Sequence, residues 1–328
     1  MRAVVLETPS GDGETMRVAD VPAPVAGAGD VVVAVAYGGL NFADLMMRAG
    51  TYPHPRGYPL TAGIELAGEV VALGDDVADL AVGDRVVAFP EGAGGFAERC
   101  AVPATRAIKL PDAMTFEQAA ACFIQAMTAF HLLHEMTETR AGDTLLVHAA
   151  GGGVGLYLTQ LATLAGARVI GTVGTPGKEA KPKALGAVAV VDRNTADFVE
   201  VALAHTDGAG VDKVIDSTGA SILDHSFAAV RRFGHVLSYG EAEGRPLPNL
   251  WERLVAKSLT FTRFHLGHVD TASPAFRENV ARVMDLVVTG ELEVPIDRVF
   301  AFDDVHAMYA RLASRQVAGK LLLAVDAR

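Results

Sequence analysis

The stretch "HAAGGGVGLYLTQLATLAGARVIGTVGT", His148 to Thr175, gathers the residues best suited to hold a phosphate. Ala150, Gly152 and Gly155 stand at the three positions of a G-x-G-x-x-G pattern, with alanine in the first, and Gly153 and Val154 lie between the last two. The middle glycine of such a pattern lets backbone approach a pyrophosphate, and the last lets a helix lie close on its strand. A helix starting there also offers free N–H groups and a positive dipole end to the anion. Gly152, Gly153, Val154 and Gly155 are therefore candidate contacts to a dinucleotide. Glycines alone would be weak evidence. What carries the reading is the apolar strand before them, the amphipathic segment after them, and a second strand within roughly 30 residues.

That second strand bears on which dinucleotide is held. An NAD site places Asp or Glu about 20 residues onward to accept hydrogen bonds from the ribose 2′-OH. Here the strand ends in "TVGTPGK", with Gly174 and Thr175 and no acid. Lys178 follows, and Arg193 comes just after the third strand. Without the carboxylate a 2′-phosphate meets no repulsion, and the two cations attract it. The pattern predicts NADPH, with Gly174, Thr175, Lys178 and Arg193 around its adenosine phosphate.

Elements must position these residues, and the hydrophobic pattern supplies them. From Thr144 onward "TLLVH", "RVIGTV", "AVAVVD", "VDKVIDS", "GHVLSYG" and "SLTFTRF" read as strands, several of them separated by helical segments. Val154, Leu158, Leu161, Ala162 and Ala165 share one helical face. Buried strands alternating with such helices predict an α/β domain, a Rossmann-type doubly wound parallel sheet. "SLTFTRF", as the last strand, would form an edge needing cover. Residues 1–110 read differently, as short β-type runs such as "AVVLE" and "DVVVAVAY" broken by glycine and proline, which suggests a small barrel or sandwich. "NFADLMMRAG" within them reads as a helix stopping at Gly50. Two helical stretches and the strand "KLLLAVD" in the last sixty residues are expected to return to the first domain. The expected boundaries are 1–124, 125–266 and 267–328.

Bulk composition narrows the partners. The 328 residues are 50% hydrophobic and 20% charged, which suits a packed globular protein. A formal net charge of −11 would repel nucleic acid and anionic lipid. The N-terminal segment lacks the apolar core of a signal peptide, and no run of about 18 apolar residues suggests a membrane span. Two cysteines, Cys100 and Cys122, in no metal-like spacing fit a reduced, cytoplasmic protein.

Taken together, "NFADLMMRAGTY", "GIELAGEVVALGDDV", "GDRVV", "TFEQAAACFIQAMTAF", "VHAAGGGVG" and "GTVGT" resemble the quinone oxidoreductase (zeta-crystallin) branch of the medium-chain dehydrogenases/reductases. "NFADLM" and "FHLGHVD" also resemble the vesicle amine transport protein group. The resemblance covers nearly the whole chain. It implies a GroES-like β-barrel substrate domain, split in sequence by the Rossmann domain, NADPH as hydride donor, and a homodimer. It also implies that Thr128, Ser217, Tyr239, Gly240 and Arg263 line the cofactor, and that Arg315 reaches the adenosine phosphate. Arg193 stands where many relatives have tyrosine.

Zinc-dependent relatives present Cys, the His of a G-H-E motif and another Cys to a catalytic metal. The matching positions here hold Asn41, Ile64 and Gln125, which cannot replace thiolate and imidazole. The H-x-x-H pairs His131/His134 and His265/His268 lack further ligands nearby and are expected to be structural, as is Glu65, the retained acid of G-H-E. No metal is expected. Asn41 and Gln125 could instead donate hydrogen bonds to a substrate carbonyl, and Tyr52 a proton. Asn41 could equally cap the following helix, and also falls among the cofactor-lining positions. Met46 replaces a second tyrosine of relatives. The expected function is NADPH-dependent reduction of quinones or related α,β-unsaturated carbonyls. The alternatives are a 2-enoyl or 2-alkenal reductase, and an NADPH-binding protein with a mainly non-catalytic role.

Overall fold

The computed structural model describes residues 1–52, 57–245 and 249–325. By its contacts the chain divides into two units, Met1–Ile124 with Asp270–Arg328, and Gln125–Val269.

The first unit opens with eight strands, β1 (Arg2–Leu6), β2 (Met16–Asp20), β3 (Asp30–Leu40), β4 (Leu60–Thr61), β5 (Leu66–Leu73), β6 (Arg85–Ala88), β7 (Arg99–Pro103) and β8 (Ala107–Lys109). β3 is the long central member, pairing antiparallel with β5 and β7. Its register shifts twice against β5, between Val32 and Val33 and between Val35 and Tyr37, bulges that let a long strand bend. Helix α1 (Phe42–Ala49) follows, ending at Gly50 in the left-handed conformation, φ 73°. Helix α2 (Phe116–Phe130) begins in this unit and, from Gln125, belongs to the second, where it continues into a π-helical turn, His131–Glu135.

The second unit contains β9 (Thr144–Val147), β10 (Arg168–Val173), β11 (Ala189–Asp192), β12 (Val211–Asp216), β13 (Val230–Ser238) and β14 (Thr260–Arg263). They are the six strands expected from the apolar runs, and they form one parallel sheet in the order β11-β10-β9-β12-β13-β14. Helices α3 (Gly153–Leu164), α4 (Ala180–Ala184), α5 (Phe198–Ala204), α6 (Ala220–Ala229) and α7 (Leu250–Val255) accompany them. Ile170, Val214, Phe198, Leu223 and Val236 meet in the buried core of this unit. Winding runs outward from β9 in one direction and from β12 in the other. That switch point, at the strands' C-terminal ends, is where ligands bind open α/β sheets.

The tail rejoins the first unit through α8 (Pro274–Val288), β15 (Ile296–Ala301), α9 (Val305–Ala313) and β16 (Lys320–Ala324). The seven-stranded sheet then runs β15-β16-β3-β5-β6-β8, with β7 also on β3, and β2-β1-β4 form a smaller sheet. Leu66, Phe96, Tyr309 and Leu323 fill its core, so residues from both ends of the chain make one apolar centre.

Candidate active site

The chain leaves β9 at Val147 and turns through Ala149, φ 51°, to Gly152, which caps α3. Ala150 N–H donates to Thr172 O (2.9 Å) and Gly152 N–H to Ala149 O (2.8 Å), pinning the turn to β10 and to itself. A Cβ at Gly155 would strike the Ala149 carbonyl oxygen and come within 2.7 Å of Ala150 Cα, so only glycine allows the helix to start this close. Lys178 lies along the turn, its Cβ and Cε 3.2 and 3.3 Å from where a Gly151 Cβ would stand. On the other side the Gln125 amide packs on Gly153 so tightly that no Cβ would fit between them. Its Oε1 is buried with no hydrogen-bond partner.

His148 braces the turn from below. Its Nδ1 is 2.9 Å from Thr172 Oγ1 and its Nε2 2.7 Å from Ser226 Oγ. Ser226 donates its own hydrogen to Ile222 O (2.6 Å), so Nε2–H donates to Ser226 and Nδ1 accepts from Thr172. Burial, reinforced by the charge of Arg193, pushes this imidazole down to about 3. It is a neutral tie between β9, β10 and α6.

Arg193 follows β11, and its N–H donates to Val173 O (3.0 Å). Its side chain is only 11% exposed, with Nη2 donating to Glu243 Oε1 at 3.1 Å. Nη1 is buried and has no partner. A Cβ at Gly174 would stand 2.5 Å from Nη2. The arginine therefore occupies the space that an acid at the end of β10 would need. A buried donor left unpaired costs about 1–3 kcal/mol, and an anion beside Gly174 would remove that cost. A glycine turn opening a helix and an enclosed cation beside Gly174 are features that can receive an anion.

The neighbouring strand ends are knitted together. Tyr239 N–H donates to Asp216 O (2.9 Å) and Ala242 N–H to Ser217 O (3.1 Å), while a Cβ at Gly240 would come within 2.8 Å of Ser217 O. The Ser217 side chain hydrogen-bonds the Tyr239 phenol, which desolvation holds well above its ordinary value. Asp216 is buried and accepts from Thr218 N–H (3.1 Å), Thr218 Oγ1 (2.5 Å) and Gly219 N–H (2.8 Å). Thr175 is half-buried just past β10, Thr128 is buried within α2, and Arg263 is exposed at the end of β14. Gln125 and Lys178 thus pack on glycines of the turn, Gly153 and Gly151, and Arg193 packs on Gly174 at the end of β10.

Asn41, Tyr52 and Arg315 belong to the first unit. Tyr52 is half-buried, and Arg315 is exposed just after α9 with φ 59°. Asn41 caps α1, its N–H donating to Asp44 Oδ2 (2.9 Å). Both Nδ2 hydrogens are engaged, with Gly39 O (3.2 Å) and Glu65 Oε2 (3.1 Å). Lys320 Nζ donates to Asn41 Oδ1 (2.9 Å) and to Glu65 Oε2 (2.5 Å), and both ionic side chains are fully enclosed. Glu65 Oε1 accepts from Ile124 N–H at 2.7 Å. One buried ion pair thus ties down Asn41, the residue after Ile64 and the residue before Gln125. Lys320 escapes a reading by residue type, because a lysine opening a strand reads as solvated. Its one signal is the apolar run "LLLA" immediately after it. Asp44 lies beside this group, and burial raises its carboxyl to about 7.

His131 Nδ1–H donates to Met127 O (2.9 Å) and its ring stacks on Phe264, while the rings of His265 and His268 lie 4.9 Å apart. Among the described residues no three His, Cys, Asp or Glu side chains group so as to hold a metal ion. Cys100 and Cys122 are buried and unbridged, and burial pushes both thiols up, Cys100 to about 12. No helix among the described residues is long and apolar enough to cross a membrane.

Comparison with known proteins gives the family. Residues 27–112 match the alcohol dehydrogenase GroES-like domain and residues 153–288 the zinc-binding dehydrogenase family. The chain is 33% identical to a probable quinone oxidoreductase of Schizosaccharomyces pombe, over 96% of this chain and 94% of that protein. It is also 33% identical to a 2-haloacrylate reductase of a Burkholderia species, over 87% of each. The solved structure of Escherichia coli quinone oxidoreductase complexed with NADPH aligns with TM-score 0.92 and 31% identity, covering 99% of this chain and all of that one. The chain belongs to the medium-chain dehydrogenase/reductase superfamily, among its quinone oxidoreductases and the homologues of synaptic vesicle membrane protein VAT-1.

Proposed function

We propose that this chain is an NADPH-dependent reductase that transfers hydride to quinones or related electron-poor α,β-unsaturated carbonyls without a catalytic metal. The observation that carries the reading is Arg193, lodged against Gly174 with a buried, unpartnered Nη1, beside a glycine turn over which Lys178 is laid. Lys178, Thr175 and Arg193 hold the 2′-phosphate. The backbone of Gly152, Gly153, Val154 and Gly155 receives the pyrophosphate. Thr128, Ser217, Tyr239, Gly240 and Arg263 line the remainder. NADPH supplies the hydride, and the protein supplies proximity and orientation.

Asn41, Ile64 and Gln125 stand where zinc-dependent relatives keep their ligands, and the Lys320 ammonium already satisfies Asn41 and Glu65. That supports a site organised by an ion pair instead of a metal. With its amide hydrogens committed, Asn41 acts by holding the start of α1, and the Gln125 amide orients the acceptor. The second reading, reduction of an activated alkene, is favoured by the likeness to a 2-haloacrylate reductase. A cytoplasmic homodimer acting on small molecules, away from nucleic acid and membrane, completes the proposal; the unbridged cysteines fit a reducing compartment. The test is a panel of quinones, enones and enoyl thioesters, followed by loss of NADPH absorbance. Turnover of quinones above the others supports the first reading, turnover of enones or thioesters the second. Tight NADPH binding with no turnover would support a non-catalytic role.

A further inference from the structure

Glu243 is absent from every motif above, yet it holds the cation nearest Gly174. Its backbone N–H donates to Thr218 O (2.9 Å), which fixes the carboxylate's base to the loop after β12. Its side chain is about a third exposed, whereas that of Arg193 is almost enclosed. The arginine has little room to retreat, because Gly174 lies against Nη2 and Val173 holds its backbone. One terminal nitrogen therefore serves Glu243, and the other is left for an incoming anion. An anion arriving at Nη1 would share one guanidinium with a carboxylate already seated on it.

We propose that Glu243 sets the margin by which this site prefers the phosphorylated dinucleotide, by competing with the 2′-phosphate for Arg193. The proposal rests on the NADPH reading given above. Two anions gripping adjacent nitrogens of one guanidinium repel each other across a few ångströms, and partial solvent exposure weakens that repulsion without abolishing it. The carboxylate keeps Arg193 neutralised and in place before cofactor arrives, at the expense of affinity afterwards. NADH brings no phosphate, so Glu243 should be nearly indifferent to it.

Fluorescence titration with NADPH, NADH and adenosine 2′,5′-bisphosphate, on the unmodified protein, Glu243→Gln and Glu243→Asp, tests this without any turnover. Glu243→Gln keeps the size and the hydrogen-bond acceptor but removes the charge. It should tighten NADPH and the bisphosphate by roughly three- to tenfold, and leave NADH within about twofold. Glu243→Asp keeps the charge and should stay near the unmodified protein for all three ligands. Weaker NADPH binding in Glu243→Gln would overturn the proposal, because Glu243 would then position Arg193 instead of competing for it. A weakening confined to NADH would overturn it too, making Glu243 a ribose acceptor. If the unmodified protein binds NADH as tightly as NADPH and ignores the bisphosphate, the cofactor reading itself fails, whatever the variants do.

Discussion

The Lys320 ammonium is enclosed together with Glu65, so neither charge can be removed alone without leaving the other buried. Breaking such a pair costs about 3–5 kcal/mol, whereas replacing both partners costs far less. Lys320→Met should therefore lower unfolding free energy by about that amount, and Lys320→Met with Glu65→Gln should recover much of it. Urea denaturation of the three proteins checks this, and a loss under about 1 kcal/mol for the single variant would contradict it. Asp44 gives a pH signature. Its carboxyl is raised by burial to about 7, so the unfolded chain releases this proton well before the folded one does. Stability owed to Asp44 is complete below its unfolded value and is lost as pH rises towards 7. Asp44→Asn should remove that decline, seen as a difference between the two stability profiles from pH 4 to 8; parallel profiles would refute it. At this scale the sequence was partly legible. Asn41 could be read as a helix cap from its type and its place before "FADLMM". Lys320 could not, since the burial of a lysine is decided by its partners, here Asn41 and Glu65, 279 and 255 residues away along the chain.

The glycine turn and the strands around it were the most legible elements, because both rest on local rules. Each parallel strand buried on both faces leaves an apolar run, and each glycine of the turn answers to backbone approach within a few residues. The strands that escaped notice lack such runs. β2 reads "MRVAD" and β15 "IDRVFA", each with a single buried residue, and both lie at the ends of their sheets. The part of the site that remained hidden is the link between elements, such as Arg193 filling the volume beside Gly174. Gly155→Ala should abolish measurable dinucleotide binding, since its Cβ would push α3 off the Ala149 carbonyl; binding within tenfold of normal would show the turn can yield. Lys178→Ala should weaken NADPH by roughly 10- to 100-fold, the value of one charge-assisted hydrogen bond, with NADH almost unchanged. Equal weakening of both by titration would mean the lysine supports the loop and does not read the phosphate.

For the whole molecule, the six-stranded sheet ends at β14, as "SLTFTRF" suggested, and that edge has no partner strand among the described residues. Phe233 and Trp251, both 74% exposed, lie on the same unit, and Phe233 N–H donates to Lys257 O just before β14. We expect β14 to pair with its twofold mate in a homodimer, which would cover the edge. Light scattering at micromolar concentration should give twice the chain mass, and a stable monomer would contradict it. Neither twofold pairing nor the identity of the acceptor is written in local pattern, because both depend on surfaces that meet other molecules. We propose that this fold moves hydride from NADPH to an electron-poor acceptor. The most direct test is a single-turnover mixing of NADPH-loaded protein with a simple quinone, without oxygen, while the reduced nicotinamide absorbance is followed. We predict complete loss of that absorbance, stoichiometric with quinone reduced and faster than in protein-free solution. Bound NADPH that keeps its absorbance in the presence of quinones, enones and enoyl thioesters alike would contradict it.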